Sequence, residues 1–214
     1  MTISKTGIFN MALNELGVSA PIQNANAQDD NRAIILRNFY EIARNEVLKA
    51  FDWNFAEKYR VLTPTTDECL DPRYRYVYDY PNDCLCAREV FEKIDDVAND
   101  EVIGNSKTPS GIGLKKKFKP SSNEDGQKVI LANVQPAILR YTRKVEKETF
   151  FDDEYSIALA LYLAGLTGKA ITGSQEKADA ALKKYEIKTK LGTVANAAEG
   201  QEVDEDNSTY LDIR

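Results

Sequence analysis

A chain of 214 residues, 43% of them hydrophobic, is long enough to bury a substantial core, as one domain or as one domain with a sizeable excursion. Its 28 Lys and Arg against 34 Asp and Glu give a formal charge of −6 and a pI near 5.0, which argues against gripping nucleic acid by its phosphates. No His is present, which removes imidazole metal ligands, Ser-His and Cys-His nucleophile pairs, and the usual general base near neutral pH.

Ser4 to Leu16 reads as a short helix stopped by Gly17, with Ile8, Met11 and Ala12 on one side and Phe9, Leu13 and Leu16 on the next. So wide an apolar face predicts cover on both sides. After a connection containing Pro21, Asp29 or Asp30 is placed to cap a long helix that runs to about Phe51. Leu36, Phe39, Tyr40, Ala43, Val47, Ala50 and Phe51 recur at steps of three and four, the stripe of a helix with one buried face. Arg32, Arg37, Glu41, Arg44 and Lys49 fall largely elsewhere. Phe51, Trp53 and Phe55 follow where helix gives way to extended chain. Large aromatics so concentrated predict a core corner.

From Glu57 the texture changes to strands. Tyr59-Arg60-Val61-Leu62 ends at Thr63-Pro64, and Tyr74 to Tyr80 alternates aromatic with polar or smaller residues, as in a half-buried strand. Beyond the Pro81-Asn82-Asp83 turn, Cys84 to Ile94 is compatible with a short helix or another strand. Asp95 to Pro109 is polar and acidic, a loop. Extended segments follow at Gly113 to Lys119, Gln127 to Asn133 and Ile138 to Val145, with a turn at Ser121 to Gly126. In the last, Leu139, Tyr141 and Val145 share one face, with Ile138, Arg140, Thr142 and Lys144 opposite. The middle of the chain is predicted to be a meander of antiparallel strands.

Helix returns at Asp152-Asp153, whose carboxylates suit the first turn. Tyr155 to Leu166 is apolar on nearly every side, and Ala160, Ala164 and Gly168, four apart, admit a close neighbour. Ile171-Thr172-Gly173-Ser174 interrupts, Ser174 caps the next helix, and Ala178, Ala181, Leu182 and Tyr185 form its buried face to a limit near Ala198. The acidic residues 199–214 read as a tail. The predicted fold class is therefore α+β, with helices at both ends and a strand-rich antiparallel insertion between them.

No apolar run approaches bilayer length, and the start lacks a signal peptide's charged and apolar blocks, so no membrane association is expected. Cys69, Cys84 and Cys86 are odd in number, and Cys84-x-Cys86 is too close for a structural disulfide or half a zinc knuckle, so free thiols are expected. Gly111-Ile112-Gly113 and Thr167-Gly168-Lys169 both lack the other elements of a phosphate loop. Lys115-Lys116-Lys117-Phe118-Lys119 is the densest basic run. It suits DNA phosphates, but a strand edge guarded by lysines is the commoner meaning. The clusters Asp95-Asp96, Asp152-Asp153-Glu154 and Glu202 to Asp206 offer carboxylates for glycoside hydrolysis, yet loop, cap and tail explain them more simply. No cofactor, metal or catalytic residue is assigned.

One series of stretches, in order, resembles a known family. Ala12-Leu13-Asn14-Glu15-Leu16-Gly17, Ala43-Arg44-Asn45-Glu46-Val47-Leu48 and Trp53-Asn54-Phe55-Ala56 are followed by Tyr80-Pro81-Asn82-Asp83-Cys84-Leu85 and Leu139-Arg140-Tyr141-Thr142. The series ends with the Ala158 to Ala164 helix and Ile171-Thr172-Gly173-Ser174. Together they resemble tail tubular protein A, the head-to-tail adaptor of short-tailed bacteriophages. Tyr80 stands where an aliphatic residue is more usual, and Cys86 where a basic one is expected.

The resemblance implies a structural virion protein and no enzyme: a ring of twelve copies between the portal protein and the tail nozzle protein, in the neck of the virion, assembled in the host cytoplasm. Genomic double-stranded DNA would pass through its bore without specific binding. Residues 1–56 and 150–198 would form a helical bundle as the ring body, residues 57–149 a β-rich insertion toward the tail, and residues 199–214 the tail that engages the portal. Tyr210, Leu211 and Ile213, an apolar tip on an acidic tether, are the expected portal anchors. The alternative function is a virion-borne peptidoglycan glycosidase using paired carboxylates.

Overall fold

The computed structural model describes residues 3–94 and 112–199. Ser4 accepts the Gly7 N–H and opens α1 (Lys5–Glu15), and Gly17 ends it at a φ of 71°, where a side chain would be strained. Ile8, Phe9, Ala12, Leu13 and Leu16 are all buried, so both apolar sides of this short helix are covered. Asp30 is the residue that caps α2 (Asn31–Ala50), its carboxylate accepting the Arg32 N–H at 2.9 Å.

The expected stripe of α2 holds at Leu36, Tyr40, Ala43 and Val47. Phe39 departs from it at 39% exposed, as does exposed Ala50, while Arg44, expected outside, is 7% exposed. The buried face is thus rotated toward Arg44, onto the helix that follows the sheets. There the Tyr155 hydroxyl donates to the Arg44 carbonyl at 3.0 Å.

Among the described residues, seven strands occupy the middle of the chain: β1 (Glu57–Val61), β2 (Tyr76–Asp79), β3 (Cys84–Lys93), β4 (Ile112–Lys116), β5 (Phe118–Ser122), β6 (Lys128–Ala132) and β7 (Ala137–Arg143). All pair antiparallel, but not as a meander: one sheet has the order β1-β7-β3-β4 and the other β2-β6-β5. Cys84 to Lys93 is strand, which decides between the two alternatives. The single extended run expected from Gly113 to Lys119 is instead divided at Lys117, with β4 joining the first sheet and β5 the second. Tyr78, Ile130, Val90, Leu139 and Tyr141 belong to both sheets and are buried in one cluster, the apolar layer between them.

Asp152 accepts the Tyr155 N–H at 2.6 Å and opens α3 (Asp153–Thr172), and Gly173, left-handed at φ 73°, closes it before α4 (Gln175–Glu199). α3 packs against α1, α2 and α4. At Gly168 a Cβ would lie 2.8 Å from Leu16 Cδ2 and 3.0 Å from Ala178 Cβ, so the missing side chain is what lets the end of α1 and the start of α4 close on α3. By length and hydropathy α3 is able to cross a bilayer, contrary to the expectation that no run approaches that length. Ten of its twenty residues are buried in the fold, while Ile157 is exposed. The loop expected over 95–109, the tail from residue 200 and its anchors Tyr210, Leu211 and Ile213 lie outside the described residues.

Candidate functional site

The helices meet the first sheet at the corner that follows α2. Trp53 is 4% exposed, and its indole N–H donates to the Val47 carbonyl at 2.9 Å, satisfying one of the carbonyls left open at the end of α2. Tyr155 from α3 inserts between the aromatic rings, edge-on to Trp53 at 5.3 Å, to Phe55 at 5.2 Å and to Phe151 at 4.6 Å. Phe51 lies 5.5 Å from Trp53 and, like Phe55, is half-buried. Burial pushes the Tyr155 phenol far above its ordinary range, so it acts as a fixed hydrogen-bond donor.

Beside the aromatic corner, two arginines bind helix to sheet. Arg88 of β3 donates to the Lys49 carbonyl at 2.9 Å and the Phe51 carbonyl at 2.7 Å, placing a cation at the negative end of α2. Its Nε lies 2.7 Å from Asp52 and donates to Thr142 Oγ1 at 2.9 Å. Arg140 of β7 meets Glu57 of β1 at 2.6 Å and Glu89 of β3 at 3.2 Å, with Asp52 at 3.5 Å. Burial works to lower the Arg140 pKa, but the carboxylates outweigh it and drive the net shift upward. Likewise burial works to raise the Glu89 carboxyl, and the hydrogen bond from Lys115 with the charge of Arg140 brings it below its usual value. The cleft lined by Asp52, Glu57, Arg88 and Arg140 is too narrow to admit a water molecule. This charged cluster fixes an angle between helix and sheet; it leaves no space for a substrate.

The lysine run sits on sheet rims, in β4 and β5. Lys115 pairs with Glu89, Lys116 with Glu92 at 3.0 Å and Lys119 with Asp71 at 3.2 Å, so three of its four lysines are engaged by carboxylates of the same chain. Among the acidic clusters, Asp152 is the α3 cap and Glu154 pairs with Lys188 at 3.1 Å. The clusters at 95–96 and 202–206 lie outside the described residues.

Two of the grooves among the described residues lie over the strands. One of about 550 Å³ is lined by Arg60, Leu62, Asp79, Tyr80, Cys84 and Lys128, among others. Burial pushes the Cys84 thiol up to about 11, which keeps it protonated and poorly nucleophilic near neutral pH. The other, of about 790 Å³, is acidic, with Asp67, Asp71, Glu124 and Asp125 around an apolar floor of Val77, Val129 and Leu131. Its Asp71 is held below the carboxylate range by Arg73, which hydrogen-bonds it at 2.9 Å and 2.8 Å. Neither groove sets a nucleophile beside a base. All three cysteines are free thiols.

Sequence reasoning found the aromatic corner and missed the arginine cluster. Arg88 and Arg140 become partners only through the registers Glu57↔Thr142 and Glu89↔Arg140, which pair positions far apart in the chain. No protein-family model matches the chain, and no curated protein matches it.

Proposed function

We propose that this protein is a structural component of a short-tailed bacteriophage virion, a head-to-tail adaptor of the tail tubular protein A type. The observation that carries the reading is the order of the resembling stretches along nearly the whole chain. They fall at the end of α1, the corner after α2, the turn into β3, the middle of β7, the buried part of α3, and the turn between α3 and α4. Two of these places, the corner after α2 and the middle of β7, lie where helix and sheet meet, at Trp53 and Arg140.

In this reading the four helices, from residues 1–56 and 150–198, form a bundle that is the body of a ring of twelve, and residues 57–149 project toward the tail nozzle. Residues 199–214 engage the portal through Tyr210, Leu211 and Ile213, since aromatic and aliphatic anchors usually carry most of an interface's energy. The negative charge of the chain suits passage of DNA. Each carboxylate facing the bore repeats in every subunit and repels phosphates, whereas a basic wall would retain them in a salt-dependent way.

The test is cryo-imaging and mass measurement of the purified protein alone and with its cognate portal. A twelvefold ring seated on the portal is expected. A protein that neither binds the portal nor is found in purified virions refutes the reading.

A further inference from the structure

The second sheet turns Tyr78, Ile130 and Ala132 toward the first, so the alternate residues Val77, Val129 and Leu131 lie on its outer face. An antiparallel sheet usually offers polar side chains on such a face. Here the connection from β1 to β2 crosses it, and Cys69 and Tyr74 pack on the three aliphatics. The cover leaves a gap. Between this connection and the turn that joins β5 to β6 runs the groove of about 790 Å³, with the three aliphatics at its floor and Leu70, 72% exposed, at its lip.

Both walls are held by the chain itself. In the connection, the Asp71 carboxylate accepts the Arg73 N–H at 3.2 Å, the Tyr74 N–H donates to the Asp71 carbonyl at 3.0 Å, and the Asn133 side-chain amide donates to the Arg73 carbonyl at 2.8 Å. In the turn, the Asn123 side-chain oxygen accepts the Gln127 N–H at 2.8 Å, and the Gly126 N–H donates to the Asn123 carbonyl at 3.0 Å. The Asn123 amide also donates to Asp67 at 3.1 Å and ties the two walls together. A groove fixed before binding loses little freedom when it is filled.

The charges on these walls decide what fills it. Asp67, Glu68 and Asp71 stand on one wall and Glu124 and Asp125 on the other, against one lining cation, Arg73. Arg73 and Lys119 both engage Asp71, and no ion pair among the described residues reaches Glu68, Glu124 or Asp125. Such a concentration of like charge is unfavourable in the free protein and is relieved by a cationic partner. It repels phosphates, which argues against nucleic acid and anionic lipid as occupants. No three of these carboxylates come together as a metal-binding group among the described residues, so the charge is laid out for several cations rather than one. Several cations over an apolar floor describe an extended chain in which lysines or arginines alternate with aliphatic side chains.

We propose that this groove docks an extended basic segment of a partner protein, with lysines or arginines facing the two acidic walls and an aliphatic side chain between them on Leu70 and the floor. The docking is independent of the adaptor reading, since it rests on the shape and charge of the second sheet alone.

Fluorescence anisotropy of the full chain with a labelled synthetic peptide, lysine alternating with leucine, tests this. Binding at low salt that weakens as salt rises is expected. Glu124→Lys combined with Asp125→Lys, both on an exposed turn, should weaken binding at least about tenfold and let the protein take the same peptide with glutamates in place of lysines. Glu68→Lys changes the other wall and should act in the same direction. Leu70→Ser should weaken binding while leaving its salt dependence intact, and bound peptide should slow amide exchange at 67–73 and 121–131 alone. Absence of binding at low salt overturns the proposal, as does unchanged affinity in the Glu124→Lys, Asp125→Lys protein. Equal binding of a peptide with glycines in place of leucines also overturns it, because the groove would then be a diffuse attraction between opposite charges.

Discussion

Trp53→Ala removes the side chain around which the helix-to-sheet corner closes. The indole is 4% exposed, stacks edge-on against Tyr155 at 5.3 Å and donates to the Val47 carbonyl at 2.9 Å. Truncating a buried Trp to Ala costs roughly 3–5 kcal/mol through lost transfer energy and the cavity left behind. The Val47 carbonyl, in the last turn of α2, loses its donor too, worth about 1 kcal/mol of that total, and Trp53→Phe should show this smaller share with part of the packing retained. For a chain of this size a loss of about 4 kcal/mol corresponds to a Tm lower by roughly 8–16 °C. Urea unfolding followed by far-ultraviolet circular dichroism is the suitable assay, because Trp53 is the sole tryptophan and its fluorescence disappears with it. A loss below about 1 kcal/mol for Trp53→Ala would refute the claim that the corner holds helices and sheet together.

Gly168→Ala should destabilise by about 1–3 kcal/mol despite alanine's better helix propensity, because its Cβ would sit 3.1 Å from the Ala178 Cα; a raised urea midpoint would show that α4 slides aside freely. Glu89 has a folded-state pKa below its unfolded value, so its contribution is full above the unfolded carboxyl range near about pH 4.5 and is lost as pH falls through the folded pKa. Arg140→Met should therefore lower stability by about 1–3 kcal/mol at pH 7 and flatten the decline of stability below about pH 4.5, measured by urea midpoints from pH 3 to 7. Purified protein is expected to give no clearing in a peptidoglycan zymogram, and cleavage abolished by Asp153→Asn or Glu154→Gln would favour the glycosidase alternative. Removing the residues after Glu199 should leave the urea midpoint unchanged while reducing capture by the portal; undiminished capture would make the tail a passive end.

Where local chemistry decides an element, the chain is readable without its fold. Asp30, Asp152 and Gly173 mark helix ends because a side-chain acceptor or a left-handed backbone is needed there, whatever lies beyond. Cys84 to Lys93 offered no such sign. It is half-buried along most of its length and shifts register against β7 between Cys84 and Cys86 and between Ala87 and Glu89, and against β4 between Phe91 and Lys93, so alternation is blurred. The break at Lys117 is similarly silent, because an extended lysine run looks the same whether it serves one sheet or two. Arg44 misled for a different reason: helical periodicity shows that one face is buried but leaves its angle free, and here the approach of α3 sets it. The arginine cluster is a product of strand register, which composition does not encode.

The order in which the chain is made gives the position of α3 a further meaning. α1 and α2 leave the ribosome before α3, yet the helix that covers their apolar faces begins only at Asp153, with the seven described strands in between. At roughly 5–20 residues per second, the hundred or so residues from Ala50 to Asp153 take about 5–20 s to synthesise. For that interval Leu36, Tyr40, Ala43 and Val47 have no α3 to pack against, while both sheets have time to form. Nascent chains on one message would then present the same uncovered helix faces to one another. Survival of the early helices depends on how quickly α3 arrives, so slowing translation across the strands should divert product into aggregates even though no residue of the folded protein has changed.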